Sequence, residues 1–137
     1  MIFLINAIKI IFILGFLVLI HETGHFIVAR LCKVKVNEFA IGFGPTILKK
    51  QGKSTKYVLR LIPLGGFVSM MGEEERSDEE GSFSKSSIPK RIAIVMAGGL
   101  VNIIFALITY IILMTVVLGD FGTALSYTGK FAFSIVD

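Results

Sequence analysis

Ile10–Ala29 reads IIFILGFLVLIHETGHFIVA, an apolar run broken by a single polar turn, His21-Glu22-Thr23-Gly24-His25. On a helix, residues four apart share a face, so His21 and His25 stand one turn from each other. Two imidazoles at that spacing can hold one zinc ion, and Glu22 can then work on water at the metal. Ile10–Ile20 has no polar side chain and Phe26-Ile27-Val28-Ala29 follows the motif, which predicts a membrane-spanning helix with the polar turn inside it. A central Asp, Lys or Arg at bilayer depth costs on the order of 2.5 to 3.5 kcal/mol, and ionisable residues there are read as functional by default. A purely structural role would need all three polar side chains satisfied by neighbouring helices without a metal.

The rest of the composition agrees with a membrane protein: 54% of the 137 residues are hydrophobic and the mean hydropathy is +0.81. A second apolar span without charge runs over 92–118. A helix of that length rises roughly 40 Å against a hydrocarbon thickness of roughly 30 Å, so tilt or protruding ends are expected. Met1–Ile8 carries no charge and the apolar core runs into HETGH rather than a cleavage site, which argues for a retained helix over a signal peptide. Eleven of the fourteen Lys and Arg residues lie between Lys33 and Arg91. The positive-inside rule therefore puts this middle segment in the cytoplasm and both termini outside. The net charge of +4 then suits a basic face beside anionic lipid, and nothing in the chain reads as a nucleic-acid motif. Cys32, the only cysteine, excludes an internal disulfide and a thiolate zinc cage.

Between the spans, Val34–Ile41 alternates as a strand and meets Gly42-Phe43-Gly44-Pro45, read as a sharp turn. Thr46–Gln51 and Thr55–Ile62 flank Gly52-Lys53-Ser54 and predict a β-hairpin; Pro63, Gly65 and Gly66 then break the strand before Phe67–Met71. Such a small sheet cannot form its own core, so the helices or the bilayer must cover it. Glu73–Glu80, with six acidic residues, reads as a solvated, mobile loop without chemistry. Pro89 suits the first turn of the second helix, with Lys90 and Arg91 at the interface. Within that helix, Gly98-Gly99 allows close approach of a neighbour, and Asn102 either bonds another helix or steadies a substrate backbone.

HETGH, GFGP, IPLGGFVSMMGEEE (62–75) and KRIAIVMAGGLVNIIFAL (90–107), in that order, resemble the bacterial site-2 protease family, in particular the branch that includes the regulator of sigma-E protease. The resemblance implies an intramembrane zinc metalloprotease that cuts membrane-embedded helices such as those of anti-sigma factors or remnant signal peptides. By position it implies His21 and His25 as Zn2+ ligands, Glu22 as general base, and Gly42 and Gly44 as the glycine motif near the membrane hairpin. Gly98 and Asn102 match a GxxxN element near the active site, while Gly99 stands where many relatives have proline. Family members complete the zinc site with an aspartate from a later helix, in an LDG or NPDG-like sequence, and usually carry a PDZ-like domain. Neither feature occurs in these 137 residues. Asp120, near the far end of its helix, is a poor third ligand, because His21 and His25 lie roughly 8 to 14 Å from the cytoplasmic end of theirs.

The expected architecture is thus a membrane α-helical one, the N-terminal part of a polytopic protease core. Residues 1–32 form transmembrane helix 1, and 33–91 a cytoplasmic segment with a membrane-associated β-hairpin and the acidic loop. Residues 92–118 form transmembrane helix 2, and 119–137 an extracytoplasmic linker or the start of a further domain. The expected setting is a bacterial cell membrane, multi-pass, with the active site toward the cytoplasm. The expected partners are the bilayer, a substrate helix, and a C-terminal half or second chain that supplies the aspartate. The alternative from another class is a non-catalytic membrane module that binds substrate helices or a protease. An ion-passage role lacks any supporting repeat or charge pattern.

Overall fold

The computed structural model describes residues 1–118, 122–123, 126 and 129–130. Four elements follow one another: helix α1 (Ile2–Leu31), strand β1 (Val36–Gln51), strand β2 (Lys56–Met70) and helix α2 (Ile88–Leu118). Residues up to Asn102 form one compact unit and those from Ile103 another.

Helix α1 is apolar on every side, yet of its thirty residues only Gly15, Gly24 and Ala29 are buried. Phe12, Ile13 and Leu14 are each more than half exposed. Both helices are long and apolar enough to cross a membrane. The C-terminus of α1 closes with Val34 N–H donating to the Ala29 carbonyl (2.9 Å) and Lys33 N–H to that of Arg30 (3.1 Å). This is a Schellman ending in which Lys33, at φ 64°, occupies the left-handed position that glycine usually fills.

The hairpin is regular at its tip: Gln51 pairs with Lys56, Lys50 with Tyr57, Lys49 with Val58 and Leu48 with Leu59. Gly52 N–H donates to the Thr55 carbonyl at 2.9 Å to close the loop. Beyond the tip the antiparallel pair shifts register repeatedly. Residues Glu38–Ile41 end up flanked by Ser69–Gly66 on one side and Lys56–Leu59 on the other, which leaves Thr46–Gln51 on an outer edge. The GFGP and PLGG segments do not divide the strands as expected. They bend strands that continue, with Gly42, Gly44 and Gly65 at φ 86°, 89° and 76°. Cross-strand partners hold the chain on both sides of each glycine, so the glycines act as bulges rather than ends.

The sheet lies along α1. At one end Arg30 Nη1 donates to Ser54 Oγ at 2.7 Å. At the other, a Cβ added to Gly15 would stand 3.0 Å from the backbone of Leu64 and Gly65. Those two contacts are fifteen residues apart on α1, about 22 Å of helix. Glu38 fastens the strands together, accepting from Lys56 Nζ (2.7 Å) and Arg60 Nη2 (3.1 Å). The Lys56 hydrogen bond, reinforced by Arg60 and both positive charges against a smaller opposing effect of burial, holds its carboxyl below the ordinary range.

The core is a small wedge of Ala29, Val34, Val36, Val68, Met70 and Ile94, with Phe26, Phe39 and Phe83 against it. It locks the end of α1, the sheet and the start of α2 together. The acidic segment, expected to be mobile, is strapped to this wedge. Met71 N–H donates to the Lys35 carbonyl (2.9 Å), Lys35 N–H to that of Gly81 (2.8 Å) and Phe83 N–H to that of Met71 (2.7 Å). Between these anchors the acidic side chains of Glu73, Glu74, Glu75, Asp78, Glu79 and Glu80 are exposed. Helix α2 opens at Ile88, ahead of the apolar span 92–118 and as expected from Pro89, with Arg91 N–H donating to the Ser87 carbonyl at 3.1 Å. Pro89 sits in its first turn, where the missing N–H leaves no helical carbonyl unpaired.

In the second unit, α2 continues from Ile103 to Leu118 with Ile103, Ile104 and Ile112 exposed, and Thr115 Oγ1 donates to the Ile111 carbonyl at 2.8 Å. Asp120 and Asp137, and most of the expected linker, lie outside the described residues.

Candidate metal centre

Helical spacing puts His21 and His25 on one face of α1, with ring centroids 4.8 Å apart and planes at 77°. That face looks at Gly98 of α2. A Cβ added there would lie 2.5 Å from His21 Nε2 and 2.6 Å from His25 Nε2, so both nitrogens converge on a buried position without a side chain. Gly99, beside it, has open space instead. Gly24 sets the helix spacing: a Cβ there would be 2.8 Å from the Ala97 carbonyl oxygen and 3.0 Å from Val101 Cγ2. Small residues on both helices bring the backbone of α2 up to the imidazoles.

The other ring nitrogens are held. His25 Nδ1 lies 2.7 Å from the Ile94 carbonyl oxygen, which only accepts, so Nδ1 carries the proton and Nε2 keeps its lone pair. His21 Nδ1 is 3.4 Å from Asn102 Nδ2, while Asn102 Oδ1 is buried without a partner. Thr23, between the histidines, turns its hydroxyl back to the Leu19 carbonyl at 2.8 Å.

Glu22 opens onto a cavity of about 180 Å³ that it shares with His25, Val68, Met70, Glu73 and Ile94. Several waters fit in such a volume. The Glu22 stem also lies against the sheet, where a Cβ added to Gly66 would be 3.5 Å from Glu22 Cβ. Glu73 is a residue that sequence reasoning passed over as part of the acidic run. Its carboxylate accepts from Met70 N–H at 3.2 Å and stands at the cavity wall. The signal available was its place three residues after the strand that ends at Met70, just past the turn at Gly72.

The histidines, Glu22, Gly98 and Asn102 therefore form one cluster. Gly42 and Gly44 belong to the bend of β1, where Gly44 faces the Ile62 side chain. Between α1 and the outer edge of the sheet runs an apolar groove of about 790 Å³, lined among others by Phe26, Ile27, Phe39, Leu48 and Tyr57.

The donor set suits zinc in part. Two imidazoles with convergent Nε2 atoms, that of His25 held through Nδ1 on the Ile94 carbonyl, offer two ligands, and a carboxylate stands beside water-sized space. Among the described residues, no group of three His, Cys, Asp or Glu side chains comes together.

Comparison with known proteins shows the family of the chain. The model of peptidase family M50 matches residues 9–137. A Clostridium acetobutylicum protein named as a candidate zinc metalloprotease is 46% identical over 107 residues, which cover 78% of this chain and 32% of that protein. The regulator of sigma-E protease RseP of Escherichia coli (strain K12) is 42% identical over 115 residues, covering 79% of this chain and 25% of that protease. The chain spans about a quarter to a third of the length of these relatives. With the matched region taking in both helices, the sheet and the histidine cluster, the chain belongs to peptidase family M50, the site-2 proteases.

Proposed function

We propose that this chain is the zinc-binding N-terminal part of an intramembrane endopeptidase of a bacterial cell membrane, which cuts transmembrane segments of other proteins such as anti-sigma factors or remnant signal peptides. One observation carries the reading: His21 and His25 present both Nε2 atoms at Gly98, with Glu22 at the adjoining cavity. His21 and His25 are the metal's ligands here, and the third protein donor comes from beyond the described residues or from a second polypeptide. When bound there, zinc supplies Lewis acidity that acidifies water and polarises a peptide carbonyl.

The chain's own groups do the rest. Glu22 takes a proton from water in the cavity and returns it to the leaving amine. Asn102, in the same cluster, steadies the site. A helical substrate hides its carbonyls in its own hydrogen bonds and must unwind before attack. The free edge at Thr46–Gln51 offers replacement bonds to the unwound stretch, with the apolar groove beside it for side chains. Gly42 and Gly44 shape that surface by bending β1. The positive-inside rule orients the assembly with the cluster toward the cytoplasm and the N-terminus outside.

The test is cleavage of a membrane-embedded substrate helix by the full-length product, with and without Glu22→Gln. Cutting that requires the glutamate supports the proposal; undiminished cutting by the variant sinks it. The lack of a third donor among the described residues favours a second reading, a non-catalytic module that binds substrate helices or a partner protease. Such a module keeps its partner when His21 and His25 are both replaced by alanine.

A further inference from the structure

Building on the zinc reading above, we propose that Asn102 is a positioning residue for His21: its side-chain carbonyl accepts the His21 Nδ1 proton and so fixes the tautomer that leaves Nε2 free for the metal. As the amide stands, Nδ2 faces Nδ1 at 3.4 Å and Oδ1 is buried with no partner. The first of these facts counts against that rotamer. A donor at Nδ1 would force the ring proton onto Nε2, the atom that converges with His25 Nε2 over Gly98, and would abolish one of two metal lone pairs.

A half-turn about χ2 exchanges the two amide atoms, which are nearly the same size. Oδ1 then meets an N–H, and the proton is drawn to Nδ1. The result matches the partner ring. His25 Nδ1 is already held at 2.7 Å by the Ile94 carbonyl oxygen, eight residues before Asn102 on the same helix. Helix α2 thus presents two carbonyl acceptors, one from the backbone and one from a side chain, to the two imidazoles of α1.

The test uses the full-length product with ¹⁵N-labelled histidine, in detergent or bilayers, and reads the protonated nitrogen of His21 in metal-free protein before measuring zinc affinity by chelator competition. The expected result is Nδ1–H on His21 in the wild type. Asn102→Leu should lose that preference and bind zinc roughly 10- to 100-fold more weakly. Asn102→Asp, which keeps an acceptor, should restore Nδ1–H, and His25 should keep its own tautomer throughout. An Nε2–H tautomer on His21 in the wild type, or an Asn102→Leu protein with unchanged tautomer and affinity, overturns the inference. Nδ1–H on His21 in a wild-type protein that takes up no zinc would uphold this hydrogen bond while removing the metal reading.

Discussion

His25 Nδ1 lies 2.7 Å from the carbonyl oxygen of Ile94, sixty-nine residues away in sequence, so an imidazole of the first helix is aimed by the backbone of the second. The proposed metal centre is therefore a property of the helix pair, not of the HETGH turn alone, and depends on how closely α1 and α2 approach.

Gly98 is the position at which that approach is tightest. Its replacement by alanine would put a methyl group 2.5 to 2.6 Å from both Nε2 atoms and push the rings apart. Cleavage by the full-length product should fall on the order of 100-fold for a displacement of about 1 Å, and zinc retention should fall with it. Gly99→Ala, with open space around it, should cut normally. Equal behaviour of the two variants in a cleavage assay would count against the geometry.

Gly24→Ala tests the spacing from the other side. Alanine gains about 1 kcal/mol of helix propensity over glycine, but its methyl would meet the Ala97 carbonyl oxygen at 2.8 Å, a backbone atom that cannot swing away. Overpacking of this kind costs typically about 1 to 3 kcal/mol. A net loss is expected, seen as a lower melting temperature in detergent; a higher one would show that the helices can separate without penalty.

Glu38 makes the sheet sensitive to acid. Its folded carboxyl lies below the ordinary range, held first by the hydrogen bond from Lys56 and also by Arg60. A depressed carboxylate contributes stability that is complete above its unfolded value of about 4.3 and disappears as pH falls through the lower folded value. Glu38→Gln should therefore lower the melting temperature at pH 7 and reduce the further drop between pH 5 and pH 3. Melting curves parallel to wild type across that window would contradict the assignment.

Lys33 holds a left-handed conformation at the end of α1. Glycine there relieves roughly 1 to 2 kcal/mol of strain and loses roughly 0.5 to 1 kcal/mol through a freer unfolded chain. Lys33→Gly should stabilise the protein slightly in denaturant titration, by on the order of 0.5 to 1 kcal/mol; destabilisation would show that the lysine side chain matters more than its backbone.

Much of this arrangement was legible in the residues. The apolar runs mark both helices, the HETGH spacing places two histidines on one face, and Gly52-Lys53-Ser54 marks the hairpin tip that the pairing of Gln51 with Lys56 realises. The bends were misread because a glycine with positive φ looks the same in sequence whether a strand stops or bulges. Only its cross-strand partners decide, and they come from residues such as Ile62 and Gly66, well separated along the chain. The Ile94 carbonyl had no sequence signal at all, since every residue carries one. Glu73 was hidden among like charges, and only the strap from Met71 to Lys35 and Phe83 shows why it is fixed at the cavity.

The most direct measurement is the zinc content of the full-length product purified from its own membranes, for wild type, Glu22→Gln and the double variant His21→Ala/His25→Ala. The account predicts one zinc per chain in the first two, none in the third, and cleavage only in the wild type. Zinc retained at full occupancy by the double variant would contradict it.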